Sequence, residues 1–170
     1  MPFPPPLISG GGQERGVRAG TENVAAIAGF GGAAAAARAS AAADGARMAA
    51  LRGRLEAELR AATPEVIIFG AGAERLPNTT LFAVPGMKAE TAVIAFDLEG
   101  IAVSSGAACS SGKVQPSHVL AAMGVAPQLA RAAVRVSLGP TTTESDVDQF
   151  NQAWIRVSGA LLKRSEGIAA

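Results

Sequence analysis

The chain has 170 residues, and its 15 Lys and Arg against 14 Asp and Glu give a formal net charge of +1. This balance creates no basic field, so neither nucleic acid nor an anionic membrane is expected as a partner. The apolar residues larger than alanine suffice for one compact core. No apolar run approaches the roughly 18 to 20 residues of a membrane span, and residues 1–6 lack the charged flank of a signal peptide, so a soluble cytoplasmic protein is expected.

The chain opens on a polar, glycine-rich segment. Residues 10–21 read GGGQERGVRAGT and offer backbone amides, two arginines and the Thr21 hydroxyl at a helix start. Such groups bind anions well. The segment matches neither a Walker A pattern nor a dinucleotide fingerprint, so it indicates a phosphate site and nothing more specific.

A helical region follows. From Glu22 to Pro64, apolar residues recur at spacings of three and four among many alanines, which is typical of helix. Thr21 is the predicted N-cap. The glycines at 29, 31 and 32 and the Asp44-Gly45 pair predict breaks, so two or three helical pieces are expected rather than one continuous helix.

The rest of the chain alternates short strands with helices. The predicted elements are strands 66–69 and 78–84, helix 88–98 ended by Gly100, strand 101–103, a helix between Pro116 and Gly124, strand 133–138 and a last helix capped by Thr143. One face of the last helix is apolar, with Val147, Phe150, Trp154, Val157 and Leu161. This order predicts a two-layer α+β domain, with helices covering one face of a small sheet.

Cys109 is the only cysteine, so it cannot form an internal disulfide or a four-cysteine metal site. It lies in the segment 104–112, nine small residues that include four serines. A free cysteine is most often a buried small apolar side chain, but four neighbouring hydroxyls do not suit an apolar pocket. We therefore favour a reachable thiol on a flexible loop, which attacks as the thiolate.

Two further residues are candidates for chemistry. His118 could pair with Cys109 for acyl transfer, but no third group is evident to orient it, and a surface or structural histidine is the stronger interpretation. One Cys and one His also make an unconvincing metal site, so no metal is expected. Alternation in 133–139 places Arg135 on the face opposite the apolar side chains; a solvated outer face explains this slightly better than a carboxylate site does.

Three segments together resemble the cysteine desulfurases, the NifS-like branch of the pyridoxal-phosphate enzymes of aminotransferase class V. They are GGGQERGVRAGTEN at 10–23, SSGAACSSG at 104–112 followed by PSHVL at 116–120, and VRVSLG at 134–139. Each segment alone is only suggestive, but their joint occurrence and order are specific. The resemblance runs over nearly the whole chain and corresponds to the C-terminal portion of that family.

The resemblance implies a role for each matching residue. Cys109 resembles the thiol that takes sulfur from L-cysteine, leaving L-alanine and an enzyme persulfide. Arg135 resembles the arginine that pairs with the substrate α-carboxylate. Thr21 resembles the threonine whose hydroxyl reaches the cofactor phosphate of the other subunit in a homodimer. The acceptor of the sulfur would be an iron–sulfur scaffold or a sulfur-carrier protein.

The resemblance also implies a fold and a division of the chain. The fold would be the C-terminal small domain of a fold type I pyridoxal-phosphate enzyme, preceded by a glycine-rich loop and long helices. Residues 1–22 would form the cofactor and dimer loop, 23–63 the connecting helices, and 64–170 the small domain with the catalytic cysteine loop.

The lysines depart from the family pattern. Members carry a Schiff-base lysine close to a histidine and a Ser or Thr, whereas Lys88, Lys113 and Lys163, the only lysines here, have no such neighbourhood. We therefore expect a fragment, or one part of a split enzyme, that is inactive without an N-terminal portion.

Four alternatives follow from these patterns. The first is the C-terminal part of a group I-type cysteine desulfurase. The others are a selenocysteine lyase or related lyase of the same class, a non-catalytic interaction module that kept the fold, and a thiol redox protein that needs no pyridoxal phosphate. The sequence does not separate a preference for cysteine from one for selenocysteine.

Overall fold

The computed structural model describes residues 5–106 and 117–166, with side chains described as far as residue 162. In chain order it contains a 3-10 turn at Gln13–Gly16, α1 (Val24–Ala62), β1 (Ile67–Ile68), β2 (Thr79–Ala83), α2 (Ala89–Leu98), β3 (Ser104–Ser105), α3 (His118–Ala122), α4 (Pro127–Arg131), β4 (Val134–Ser137) and α5 (Glu144–Glu166). The chain divides into two compact units, residues 1–42 and 43–170. The functional division at residues 22 and 63 stays a prediction.

The glycine-rich segment adopts backbone conformations that few side chains tolerate. Glu14 and Arg15 have φ values of 50° and 58°, inside a turn with no buried residue. Gly11 and Gly16 are also left-handed, with φ values of 63° and 78°. Left-handed backbone is costly outside glycine, so this segment holds a conformation that its own sequence does not favour.

The predicted cap of α1 was wrong by two residues. The helix begins at Val24, and the Asn23 side-chain oxygen accepts a 3.1 Å hydrogen bond from the Ala26 backbone N–H. Asn is at least as good an N-cap as Thr, and its position satisfies a free amide of the first turn. The Thr21 hydroxyl is therefore not needed by the helix.

The predicted breaks in this region were also wrong, because α1 is one helix of 39 residues. Alanine has the highest helix propensity, and each isolated glycine costs only about 1 kcal/mol relative to alanine. The alanines around Gly29, Gly31, Gly32 and Gly45 outweigh that cost.

Helix α1 is also long and apolar enough, by length and composition, to cross a membrane, with a window of mean hydropathy 1.3. The expectation that no apolar run approaches such a length therefore needs correction. Alanine supplies most of this hydropathy, and the larger apolar residues in its first two turns are only Val24, Ile27 and Phe30. Insertion into lipid depends on large apolar side chains, so this is weak support for a membrane span. These three side chains are 68%, 55% and 77% exposed.

In the unit 43–170, a four-stranded antiparallel sheet has the order β1-β2-β4-β3. Its covered face carries Ile68, Phe82, Val134 and Val136, all buried. Trp154 of α5 meets the Phe82 ring edge-on at 5.2 Å between centroids. The predicted α+β fold, a small sheet covered by helices, is confirmed.

Helices α1, α2 and α5 build the covering layer. Phe96 of α2 stacks on Phe150 of α5 at 5.1 Å between ring centroids, and Leu55 and Leu59 of α1 are buried. The predicted apolar face of α5 is confirmed at Val147, Phe150, Trp154 and Val157, which are buried, and at Leu161, which is partly buried.

The ends of these helices largely follow the sequence signals. Gly100 ends α2 with φ 76°, and the Ile101 N–H donates to the Phe96 carbonyl oxygen at 2.9 Å, the pattern of a Schellman motif. Thr143 caps α5, since its hydroxyl accepts from the Asp146 N–H at 3.3 Å and the Asp146 carboxylate accepts from the Thr143 N–H at 2.8 Å.

Two predictions near the cysteine segment require correction. The strand expected at 101–103 is instead Ser104–Ser105, because residues 101–103 return the chain from the end of α2. The helix expected from Pro116 begins at His118, capped by Ser117 and followed by Gly124 with φ 76°. Pro116 lies outside the described residues. A second short helix, α4, was not predicted and starts with Pro127 at its first position.

Candidate functional site

The uncovered face of the sheet carries Arg135. Val134 and Val136 are buried while Arg135 and Ser137 are exposed, so the predicted alternation is confirmed. Arg135 faces Leu81 of β2 on one side and Ser104 of β3 on the other. The sheet thus presents a guanidinium on its open face, flanked by an apolar and a hydroxyl side chain.

Arg135 differs from most arginines of this unit in having no partner. Arg75 binds Glu56 at 2.9 Å, Arg156 binds Glu99 at 2.6 Å, and Arg54 binds Glu58 at 2.9 Å. Among residues 5–106 and 117–166, no acceptor pairs with the Arg135 side chain. An arginine on a sheet with all its donors free can take a carboxylate on both oxygens.

Gly106 anchors the chain that leads to the cysteine. Its N–H donates to the Ala133 carbonyl oxygen at 2.7 Å, and a Cβ at this position would lie 2.8 Å from the Ala133 Cβ. Only glycine therefore permits this approach. Ala133 directly precedes β4 and is two residues before Arg135, so the chain leaves the sheet close to the arginine.

The chain returns to the same place after the cysteine segment. The Ser117 hydroxyl accepts from the Leu120 N–H at 3.4 Å, and the Leu120 Cδ1 lies 3.7 Å from where a Gly106 Cβ would be. Leu120 is fully buried. Cys109 itself lies outside the described residues, but the described residues on either side of its segment, Gly106 and Leu120, lie close to each other.

His118 is exposed on α3. This confirms the interpretation of a surface histidine. In the part of the chain that the structure describes, no group of three or more His, Cys, Asp and Glu side chains could hold a metal ion.

A buried carboxylate behind the sheet was missed by the sequence analysis. Glu56 of α1 is 5% exposed and accepts hydrogen bonds from Arg75 at 2.9 and 3.0 Å and from the Thr80 hydroxyl. Burial alone would raise the pKa of Glu56, but the hydrogen bonds from Arg75 and Thr80, with the charges of Arg75 and Arg52, outweigh it and lower that pKa. The one signal available in the sequence was an acidic residue between Leu55 and Leu59 on the buried stripe.

A comparison with known protein families identifies the family of this chain. The model of the family described as aminotransferase class-V matches residues 8–150. The chain belongs to the aminotransferase class-V family.

Individual members of the aminotransferase class-V family are closely similar to this chain. It is 44% identical over 150 residues to a cysteine desulfurase of Cereibacter sphaeroides, covering 88% of this chain and 38% of the relative. It is 43% identical over 144 residues to cysteine desulfurase NifS of Azotobacter vinelandii, covering 85% and 36%. The crystal structure of a NifS-like protein from Rickettsia africae ESF-5 superposes with a TM-score of 0.78 at 40% identity, covering 91% of this chain and 40% of that one.

The chain thus spans 36–38% of the length of these two curated relatives. Aminotransferase class-V proteins are pyridoxal-phosphate enzymes, so the described residues can be tested against that cofactor. They suit its phosphate end: Thr21 is exposed, and within the described residues its hydroxyl has no partner, while Arg18 binds the Gly20 and Thr21 carbonyl oxygens.

The described residues do not suit the ring of the cofactor. Lys88 is exposed and directly precedes α2, with no histidine or hydroxyl side chain next to it in the sequence. The side chains of Lys113 and Lys163 lie outside the described residues. Within the described residues, the chain thus offers free groups for a phosphate and for a carboxylate but none for the ring of the cofactor.

Proposed function

We propose that this chain is the part of a pyridoxal-phosphate-dependent cysteine desulfurase that supplies the sulfur-accepting cysteine and the substrate-binding arginine. The observation that carries the proposal is Arg135, unpartnered on the open sheet face, with the chain towards Cys109 leaving the sheet beside it. Gly106 precedes Cys109 by three residues, and three residues extend at most about 11 Å. The covalent chain therefore keeps the Cys109 Cα within that distance of the Gly106 Cα. A thiol near a carboxylate-binding arginine suits a substrate that carries both a carboxylate and a sulfur.

Each residue has a defined task in this reaction. Arg135 binds the α-carboxylate of L-cysteine through both oxygens and so orients the substrate sulfur. The Cys109 thiolate attacks that sulfur: a new S–S bond forms, the substrate Cβ–S bond breaks, and its electron pair remains with the carbon side. The carbon gains a proton to give L-alanine, and Cys109 is left as a persulfide. Bound pyridoxal phosphate supplies the electron sink for this bond cleavage.

The cofactor imposes a requirement on the assembly. Thr21 is proposed as the donor to the cofactor phosphate of the other subunit in a homodimer, which agrees with its free hydroxyl. The lysine that binds the cofactor would come from outside this chain, so the chain alone is expected to be inactive. Transfer of the persulfide sulfur to an iron–sulfur scaffold or a carrier protein in the cytoplasm completes the proposal.

The experiment measures sulfide and L-alanine released from L-cysteine with pyridoxal phosphate and a reductant. The purified chain is assayed alone and together with the part of the Cereibacter sphaeroides desulfurase that it does not cover. Cys109→Ser and free cofactor without protein are the controls. We expect no turnover by the chain alone and Cys109-dependent turnover by the combination.

Two results would contradict the proposal. Absence of turnover in both settings, with a folded complex present, would favour an interaction module that kept the fold without the chemistry. Turnover that survives Cys109→Ser would assign the sulfur chemistry to another group. Parallel assays with L-selenocysteine separate a desulfurase from a selenocysteine lyase, because the two differ in which substrate turns over faster.

A further inference from the structure

The residue opposite Arg135 on the neighbouring strand is Ser104. The two are paired directly in the antiparallel register of β3 and β4, and Ser105 is paired with Val134. Directly opposed residues point their side chains to the same face, with Cβ atoms about 4.5–5.5 Å apart. Ser104 therefore shares the open face with Arg135, while Ser105 shares the covered face with Val134.

Both side chains of the Ser104–Arg135 pair have unused hydrogen-bonding groups. Ser104 is half-buried and Arg135 is exposed, and neither side chain has a partner within residues 5–106 and 117–166. On the other flank of Arg135, Leu81 offers no polar group. Of the two residues directly opposed to Arg135, only Ser104 thus carries a polar side chain. Thr79 and Ser137 lie one residue pair further along the same face, and the Thr79 hydroxyl donates to the Asn78 side chain.

We propose that the Ser104 hydroxyl is the second ligand of the carboxylate that Arg135 binds. A carboxylate has about four acceptor positions, and the guanidinium fork uses two of them. An oxygen that accepts from both a hydroxyl at about 2.7 Å and a guanidinium N–H at about 2.8 Å separates the two donors by about 5 Å. The Arg135 side chain is long enough to bring its guanidinium to that distance from the hydroxyl of the directly opposed Ser104. That the carboxylate belongs to an amino-acid substrate rests on the proposed function; the two-residue site itself does not.

The site distinguishes ligands by their acceptor groups. A planar carboxylate satisfies both the guanidinium and the hydroxyl, whereas an amide in its place leaves one donor facing another. The donor-only fork of Arg135 thus favours a free α-carboxylate over an amidated or peptide-bonded one, while the Ser104 hydroxyl adds a further donor to the carboxylate. The directly opposed residue on the other side, Leu81, has no polar group to compete for the same oxygens.

The test uses the isotopically labelled chain itself and L-alanine as the probe, at constant ionic strength. Nuclear magnetic resonance follows the Arg135 side-chain N–H and the backbone amides of β3 and β4 through the titration. We expect saturable shifts, loss of binding in Arg135→Ala and about fivefold to tenfold weaker binding in Ser104→Ala. Alaninamide should bind weakly to the wild-type chain.

Matched variants distinguish a carboxylate-binding role of the Ser104 hydroxyl from a purely structural role of Ser104. Ser104→Thr keeps the hydroxyl and should bind as the wild type does, whereas Ser104→Val has the same shape without it and should match Ser104→Ala. Ser105→Ala, one residue along and on the covered face, should leave binding unchanged. The amide spectrum of each variant shows whether the sheet is intact.

The outcomes distinguish this inference from the proposed function. Binding that depends on Arg135 but is equal in Ser104→Thr and Ser104→Val overturns the role of Ser104 and leaves the desulfurase proposal standing. No saturable binding by the wild-type chain also overturns the two-residue site. Normal carboxylate binding together with no desulfurase turnover in the combined assay supports this inference and removes only the proposed function.

Discussion

Replacing Glu56 with Gln should destabilise the fold strongly, because the carboxylate is a buried acceptor shared by helix, loop and sheet. It accepts from Arg75 at 2.9 and 3.0 Å and from the Thr80 hydroxyl. A Gln amide has the same shape, but its NH₂ group would face the guanidinium, donor against donor. Breaking one side of a buried ion pair costs about 3–5 kcal/mol.

The Arg75 side chain keeps 17% of its surface exposed, so water recovers part of its hydration in the variant. We therefore expect the lower end of that range, about 3 kcal/mol, which in a unit of this size lowers the melting temperature by about 10 °C. The assay is urea denaturation of both proteins followed by circular dichroism at pH 7. Glu99→Gln is the matched control, since Glu99 pairs with Arg156 where the two side chains are 31% and 56% exposed, and it should leave the urea midpoint nearly unchanged.

The loss of unfolding free energy caused by Glu56→Gln should also depend on pH, and it should shrink on acidification. The folded state lowers the pKa of Glu56 below its ordinary value of 4.5, so its contribution is fully present above that value and is lost as the pH falls through the lower folded pKa. The difference between wild type and Glu56→Gln should thus be constant from pH 5 to 8 and shrink below about pH 4.5. A loss below about 1 kcal/mol at pH 7, or one that grows on acidification, would refute the reasoning.

Three further substitutions test the close approach at Gly106, the N-cap of α5 and the role of Arg135. Gly106→Ala places a Cβ 2.8 Å from the Ala133 Cβ and should cost about 1–3 kcal/mol in unfolding free energy; an unchanged urea midpoint would show that the chain is not held there. Thr143→Ala should cost about 1 kcal/mol by the same measurement through loss of the α5 cap. The backbone N–H and hydroxyl of Thr143 lower the pKa of Asp146, so the Asp146 contribution should persist to below pH 3.8 and disappear only as the pH falls through the lowered pKa. In the combined enzyme, Arg135→Ala should raise the KM for L-cysteine at least tenfold while pyridoxal-phosphate binding, followed by absorbance, stays within about twofold; equal losses of both, or of neither, would argue against a carboxylate-binding role.

Local signals in the sequence predicted much of the covered sheet and its helices. Alternation along β4 separates Arg135 from Val134 and Val136, and Gly100, Gly124 and Thr143 each mark a helix end, because these features depend on residues within one or two turns. The family resemblance depended likewise on contiguous segments, and the family-model match over residues 8–150 confirmed it. The roles of Cys109 and Thr21 stay predictions of that resemblance.

Long-range pairing accounts for what the sequence could not show. The position of β3 depends on how α2 ends and on which residue pairs with Arg135. The apolar residues 101–103 do not by themselves reveal the register between β3 and β4. The continuity of α1 is a balance between alanine propensity and glycine cost summed over many residues. In the sequence Glu56 looks like any glutamate on a helix surface, because its partner Arg75 is 19 residues away. The pairing of Ser104 with Arg135 joins residues 31 positions apart in the sequence, and only the folded sheet places the hydroxyl beside the guanidinium.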